Sequence, residues 1–138
     1  MAKKEMKSKK QDVQKFLDEM RSVLEKEDFN IDTDFEFQES RQNDDPKDEC
    51  TNENTMLALG YDSEDVVEEL KSLTVKNYSE SIVDSKPKKD IYIFYVFGKV
   101  IQGHEVYIKV RMKEHSNHGK YVFCLSFHFS KKPMNYIY

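Results

Sequence analysis

No run of about eighteen apolar residues, the length a helix needs to cross a bilayer, occurs anywhere in these 138 residues. The lysine-rich start, residues 1–10, is not followed by the apolar stretch of a secretory signal. A protein without membrane attachment is therefore expected, with the cytoplasm as its compartment. Tryptophan is missing, and there are only 4 glycines and 3 prolines, which argues against fibrous and low-complexity classes. Cys50 stands in an acidic stretch and Cys124 inside an apolar run. Their placement predicts neither a disulfide framework nor a zinc site, which needs ligands in closely spaced pairs. His115 and His118 lie three apart but in a polar turn, and are read as loop residues rather than metal ligands. G-x-S-x-G, H-E-x-x-H, the phosphate-binding loop and G-x-G-x-x-G are all absent. Serine hydrolase, zincin, NTPase and dinucleotide-binding readings therefore lack support, and no metal or organic cofactor is expected.

What is present is aromatic and charged. Nine Phe and eight Tyr within 38% hydrophobic residues are enough for a packed core, and the length suits a single domain, 1–138. The net charge of −4 conceals an uneven distribution. Residues 27–70 carry 16 acidic and 2 basic groups, whereas residues 91–138 carry 7 basic and 2 acidic groups together with all four histidines. An acidic protein thus has a basic C-terminal third, which suits an anionic partner.

Val13, Phe16, Leu17, Met20, Val23 and Leu24 recur at helical spacing and predict an amphipathic helix over 11–26. Phe29, Ile31, Thr33, Phe35 and Phe37 alternate with polar residues, the pattern of a half-buried strand. Residues 39–54 are almost free of apolar side chains and read as a polar loop. Gly60 is a helix stop and Ser63 a helix start, with Val66, Val67, Leu70 and Leu73 as a buried stripe. Residues 74–89 read as a connection, and residues 1–10 as a flexible basic tail. Three β-branched and aromatic runs follow at 91–97, 105–113 and 121–129, separated by turn signals at Gly103 and at 116–119. The expected fold class is α+β: an antiparallel sheet with a C-terminal three-stranded meander, and helices packed on one side.

In the middle run Val106, Ile108, Val110 and Met112 alternate with Tyr107, Lys109, Arg111 and Lys113. Period 2 puts the apolar set on the core and the phenol and three cations on the opposite face. Paired with the third run, that face would also carry Ser126 and His128. Such a face either keeps a sheet soluble or binds a polyanion, the cations holding phosphate and the ring stacking on an unpaired base. Single-stranded RNA is the ligand that fits the second reading.

The ordered series Val96-Phe97-Gly98-Lys99, Gly103-His104-Glu105-Val106-Tyr107-Ile108-Lys109, Cys124-Leu125-Ser126-Phe127-His128 and Pro133-Met134-Asn135-Tyr136 resembles the MqsR family of bacterial toxins. Leu59-Gly60-Tyr61 and Leu70-Lys71-Ser72-Leu73 precede it in the matching order. The resemblance implies a RelE-like fold, metal-independent cleavage of messenger RNA, and a cognate antitoxin partner. It also implies catalytic roles for Lys71, Tyr107 and His128, with Tyr107 and His128 as candidate general base and acid in either order; Lys99, Lys109 and Arg111 are the cations read as binding RNA phosphate. His128 takes the place of a lysine, and an imidazole transfers protons near neutrality where an unperturbed lysine does not. Two other readings stay beside this one: a catalytically inactive RNA-binding module of the same fold, and a protein-interaction module whose cationic face meets an acidic partner.

Overall fold

The computed structural model describes residues 2–85, 91–117 and 119–138. Helix α1 (Lys10–Leu24) buries all six predicted stripe residues, each contributing roughly 1.5–3 kcal/mol by leaving water. After it come a single helical turn α2 (Ile31–Asp34), a short strand β2 (Phe35–Phe37), and helices α3 (Asn52–Leu59) and α4 (Ser63–Lys71). Strands β3 (Tyr78–Ser85), β4 (Ile91–Ile101), β5 (His104–His115) and β6 (Gly119–Phe129) complete the fold, with β1 (Ala2–Met6) at its start. The fold is α+β. Its six strands form one sheet in the order β1-β3-β4-β5-β6-β2, antiparallel except where β2 runs parallel to β6. Among the described residues no helix is long and apolar enough to cross a membrane.

The predicted meander is β4-β5-β6, and the Gly60 stop is a left-handed C-cap at φ 71°. Asp62 caps α4 in a reciprocal box with Asp65. Three expectations need correction. The segment read as a flexible tail contributes β1, which pairs with β3 from Ala2↔Ser85 to Met6↔Ser81. Its end is tied down where Lys7 Nζ donates to the Ser79 carbonyl and Ser8 N to the Tyr78 hydroxyl. The stretch 74–89, read as a connection, contains β3. Its polar side chains escape a periodicity test because Ser81 is buried by bonding Ser8 and Tyr78. The strand expected from Phe29 begins only at Phe35, because Asn30 and Asp34 exchange side-chain bonds with the backbone and wind 31–34 into a turn.

The helices cover one face of the sheet. Val106, Ile108 and Val110 of β5 pack there with Phe97, Val122, Cys124 and Phe127, beneath α1 and α4. The other face is open, and a bulge in β6 decides what stands on it. Lys109 pairs with Ser126 and Val110 with Cys124, so Leu125 is an extra residue. The bulge reverses the alternation of β6. Val122 and Cys124 point to the core before it, and Phe127 after it, which leaves Phe123, Ser126 and His128 on the open face.

Beyond the bulge β6 has no strand on its outer side, because β2 pairs only as far as Cys124. Helix α3 supplies the missing partners. Asn52 Oδ1 accepts from Phe127 N at 3.0 Å, while its Nδ2 donates to the carbonyls of Leu125 at 3.0 Å and Gln38 at 2.6 Å. Thr55 Oγ1 accepts from Phe129 N at 3.0 Å. Two buried side chains thus hold the backbone on either side of His128.

Candidate active site

Tyr107 and His128 are direct partners across β5 and β6. Their rings stack with centroids 5.0 Å apart and an interplanar angle of 12°. They line a cleft of about 390 Å³ with Lys7, Glu80, Lys131 and Met134. Opposite Tyr107 on its other side is Gly98, and the gap it leaves is filled from the C-terminal segment. A Cβ at Gly98 would collide with the Tyr136 hydroxyl and stand 2.7 Å from Met134 Sδ. That segment is clamped by Glu105, whose carboxylate accepts from Met134 N at 2.9 Å and the Tyr136 hydroxyl at 2.6 Å.

His128 Nδ1 lies 3.0 Å from the Phe129 carbonyl oxygen. A carbonyl only accepts, so Nδ1 carries the proton and Nε2 of the neutral ring keeps a free lone pair. Burial pushes the imidazole below its ordinary pKa, opposed by the Phe129 carbonyl; Arg41 and Lys131 depress it further, and Asp48 raises it. The ring is therefore neutral at pH 7. Tyr107 moves the other way: burial, then the carboxylates Glu80 and Glu5, push its hydroxyl up to about 12, against a lowering by Arg41. At neutral pH it is a phenol that donates, beside an imidazole that accepts. Glu80 is itself raised above the usual carboxyl range, first by burial and then by Glu5.

The cations differ in their placement. Lys109 is buried on the open face, its ammonium 4.8 Å from the Phe94 ring centroid, between Val96 and Ser126 in the register. Arg111 lies over Tyr92, 4.0 Å from the ring centroid. Lys99 and Lys71 are elsewhere. Lys99 pairs with the core-facing Val106, and its Nζ binds Glu69 Oε1 at 2.5 Å and Ser72 Oγ at 2.6 Å on α4. Lys71 ends α4, bonds Glu68 at 2.9 Å and borders a separate depression with Phe29 and Ile31. Neither reaches the cleft, because α4 and Lys99 are on the helix-covered side. His118 lies outside the described residues, and His115 stacks on Tyr121 at 4.0 Å.

Arg41, Glu80, Lys7 and Lys131 escaped the sequence reading. Arg41 comes from the polar loop, with Nη2 3.5 Å from Ser126 Oγ. Its signal was faint: it is one of only 2 cations among the 16 acids of residues 27–70. Lys131 stands two residues beyond the end of β6 and pairs with Asp48 at 3.3 Å, so the loop and the C-terminal segment meet beside His128. Among the described residues no three His, Cys, Asp or Glu side chains converge as a metal site.

A family model described as motility quorum-sensing regulator, toxin of MqsA, matches residues 35–129, about two thirds of the chain. No curated protein and no solved structure matches.

Proposed function

Because this chain belongs to the MqsR toxin family, the toxin half of a toxin–antitoxin pair, we propose that it is an endoribonuclease that cuts single-stranded messenger RNA by proton transfer between His128, Tyr107 and the RNA. The observation that carries the reading is the stacked Tyr107–His128 pair, one ring with a free lone pair and the other with a retained proton. In this reading His128 Nε2 takes the proton of a ribose 2′-hydroxyl. The 2′-oxygen attacks the adjacent phosphorus, the bond from phosphorus to the 5′-oxygen breaks, and the Tyr107 hydroxyl gives its proton to the departing oxygen. The products are a 2′,3′-cyclic phosphate and a 5′-hydroxyl, and solvent exchange restores both side chains. Arg41 and Lys109 are the cations on the open face suited to the charge that builds on the phosphorane. Burial, with Glu80 and Glu5 beside it, pushes the Tyr107 hydroxyl up to about 12, so it holds its proton until the leaving oxygen takes it. Lys71 and Lys99 take no part.

The cognate antitoxin is the protein partner that the family implies. The experiment is cleavage of an end-labelled single-stranded RNA by the purified chain in EDTA, with identification of the new ends. His128→Ala and Tyr107→Phe are each expected to lower cleavage by roughly 10²–10⁴-fold, the usual share of a proton-transfer group, while remaining folded. Cleavage at the wild-type rate by both variants would refute the mechanism. Salt-sensitive RNA binding without any cut product would instead favour the inactive binding module.

A further inference from the structure

The open face continues beyond the cleft along β5, and its chemistry changes in one direction. Toward β1 and β3 the register positions on this face include the carboxylates Glu5, Glu80 and Asp84. Toward β5 and β6 it carries cations seated on aromatic rings. Arg111 is 4.0 Å from the centroid of Tyr92 and 5.7 Å from that of Phe94, and Lys113 is 4.0 Å from that of Phe123. His115 and Tyr121 then stack nearly parallel at 15°. A depression of about 560 Å³ opens among Tyr92, Arg111, Lys113, Lys120 and Tyr121, with one carboxylate, Glu114, against three cations in its lining, within the range that takes a small planar ligand.

We infer that this strip, from Tyr92 and Arg111 to Tyr121 and His115, is a second RNA subsite that stacks the unpaired bases flanking the phosphate held in the cleft. The inference rests on the proposed ribonuclease activity and adds where the rest of the strand lies. Three features of the face support this occupant. Same-face side chains on a strand recur about every 7 Å, close to the spacing of successive phosphates in an extended single strand. The Arg111 guanidinium over Tyr92 and the stacked Tyr121–His115 pair are planar groups of the kind on which a base stacks. The carboxylates Glu5 and Asp84 on the β1 and β3 side disfavour phosphate there, which leaves the β4, β5 and β6 part of the face for the rest of a bound strand. Capping of aromatic rings for solubility accounts for Phe94 and Phe123, which are 7% exposed. It does not account for Tyr92, Tyr121 and His115, which stay partly exposed.

Binding is measured by fluorescence anisotropy with a labelled 2′-O-methyl RNA of about twelve nucleotides, which has no nucleophile and stays intact. Stacking on one aromatic ring typically accounts for about tenfold in affinity or more. Tyr121→Ala and Tyr92→Ala are therefore each expected to weaken binding about tenfold, while Tyr121→Phe, which keeps the ring, binds like the wild type. In the cleavage assay the advantage of a twelve-nucleotide RNA over a trinucleotide should fall by a similar factor in the alanine variants. Wild-type affinity in both folded alanine variants, or equal loss in Tyr121→Phe, overturns the subsite. If the wild type binds the long RNA and the alanine variants bind it more weakly, but no RNA is cut, the activity fails and the subsite stands.

Discussion

Replacing Asn52 by Leu tests whether a helix side chain stands in for a strand at the edge of β6. The wild-type amide makes three hydrogen bonds, to Phe127 N, Leu125 O and Gln38 O, and is only 5% exposed. Leucine keeps the approximate volume but strands one donor and two acceptors. A buried group left without its partner costs about 1–3 kcal/mol. Water reaching the loop-side Gln38 carbonyl would offset one of the three, so the expected loss is roughly 3–5 kcal/mol. A domain of this size has only about 5–15 kcal/mol of stability in total, so the midpoint of urea unfolding should fall sharply. Asn52→Asp retains the acceptor for Phe127 N but turns a carboxylate toward two carbonyls, and should be at least as damaging. Thr55→Val, isosteric at a fully buried position, loses the acceptor for Phe129 N and should cost about 1–2 kcal/mol. Both bonds position the backbone next to His128, so the surviving fold of Thr55→Val should also cleave more slowly. A loss below about 1 kcal/mol in Asn52→Leu would show that β6 holds its edge without α3, and would refute the reasoning.

The pH profile has a defined sign. His128 acts as a base only when neutral, and its pKa lies below the ordinary 6.5. Cleavage should therefore rise with pH to a midpoint on the acid side of 6.5 and stay level through neutrality, because Tyr107 remains protonated up to about 12. Arg41→Gln should move that midpoint to higher pH and Asp48→Asn to lower pH, as rate measurements from pH 4 to 9 would reveal; the opposite order would be incompatible with the charges around the ring. Gly98→Ala meets only the ends of two flexible side chains, so it should change stability by about 1 kcal/mol or less yet release the Tyr136–Glu105 bond. Faster tryptic cutting after Lys131 would report that release, and wild-type proteolysis would count against it. Lys71→Ala should cleave RNA like the wild type. Lys99→Met should lose about 1–2 kcal/mol of stability through the half-buried Glu69; specific loss of cleavage by the Lys71 variant would support a catalytic role for Lys71 instead.

Much of this architecture was legible where local pattern and burial agree. Helix α1 and the alternating residues of β5 follow from period alone, and β5 correctly placed Tyr107 and Lys109 on one face. His128 was assigned to the same face, although the bulge at Leu125 reverses the β6 alternation on which the sequence pattern rests. A two-residue period read without that bulge has Phe123 and Phe127 on one side, whereas the structure separates them. Strand β3 was illegible because Ser81 is buried through side-chain hydrogen bonds to Ser8 and Tyr78 rather than through apolar surface. The placement of Lys71 and Lys99 on the helix-covered side was illegible because a cation's identity does not say which side of a sheet its element covers. Arg41 reaches Ser126 across 85 positions of chain, a distance no local window samples.

The substitution of side chains for a strand also has a kinetic meaning. The amides of Phe127 and Phe129 are held by Asn52 and Thr55, so their exchange with solvent deuterium requires α3 to detach, not the β5–β6 hairpin to unzip. Their protection should therefore match that of the α3 backbone. His128 sits between them, and the lifetime of its alignment with Tyr107 is then set by the opening rate of an eight-residue helix that carries no catalytic group.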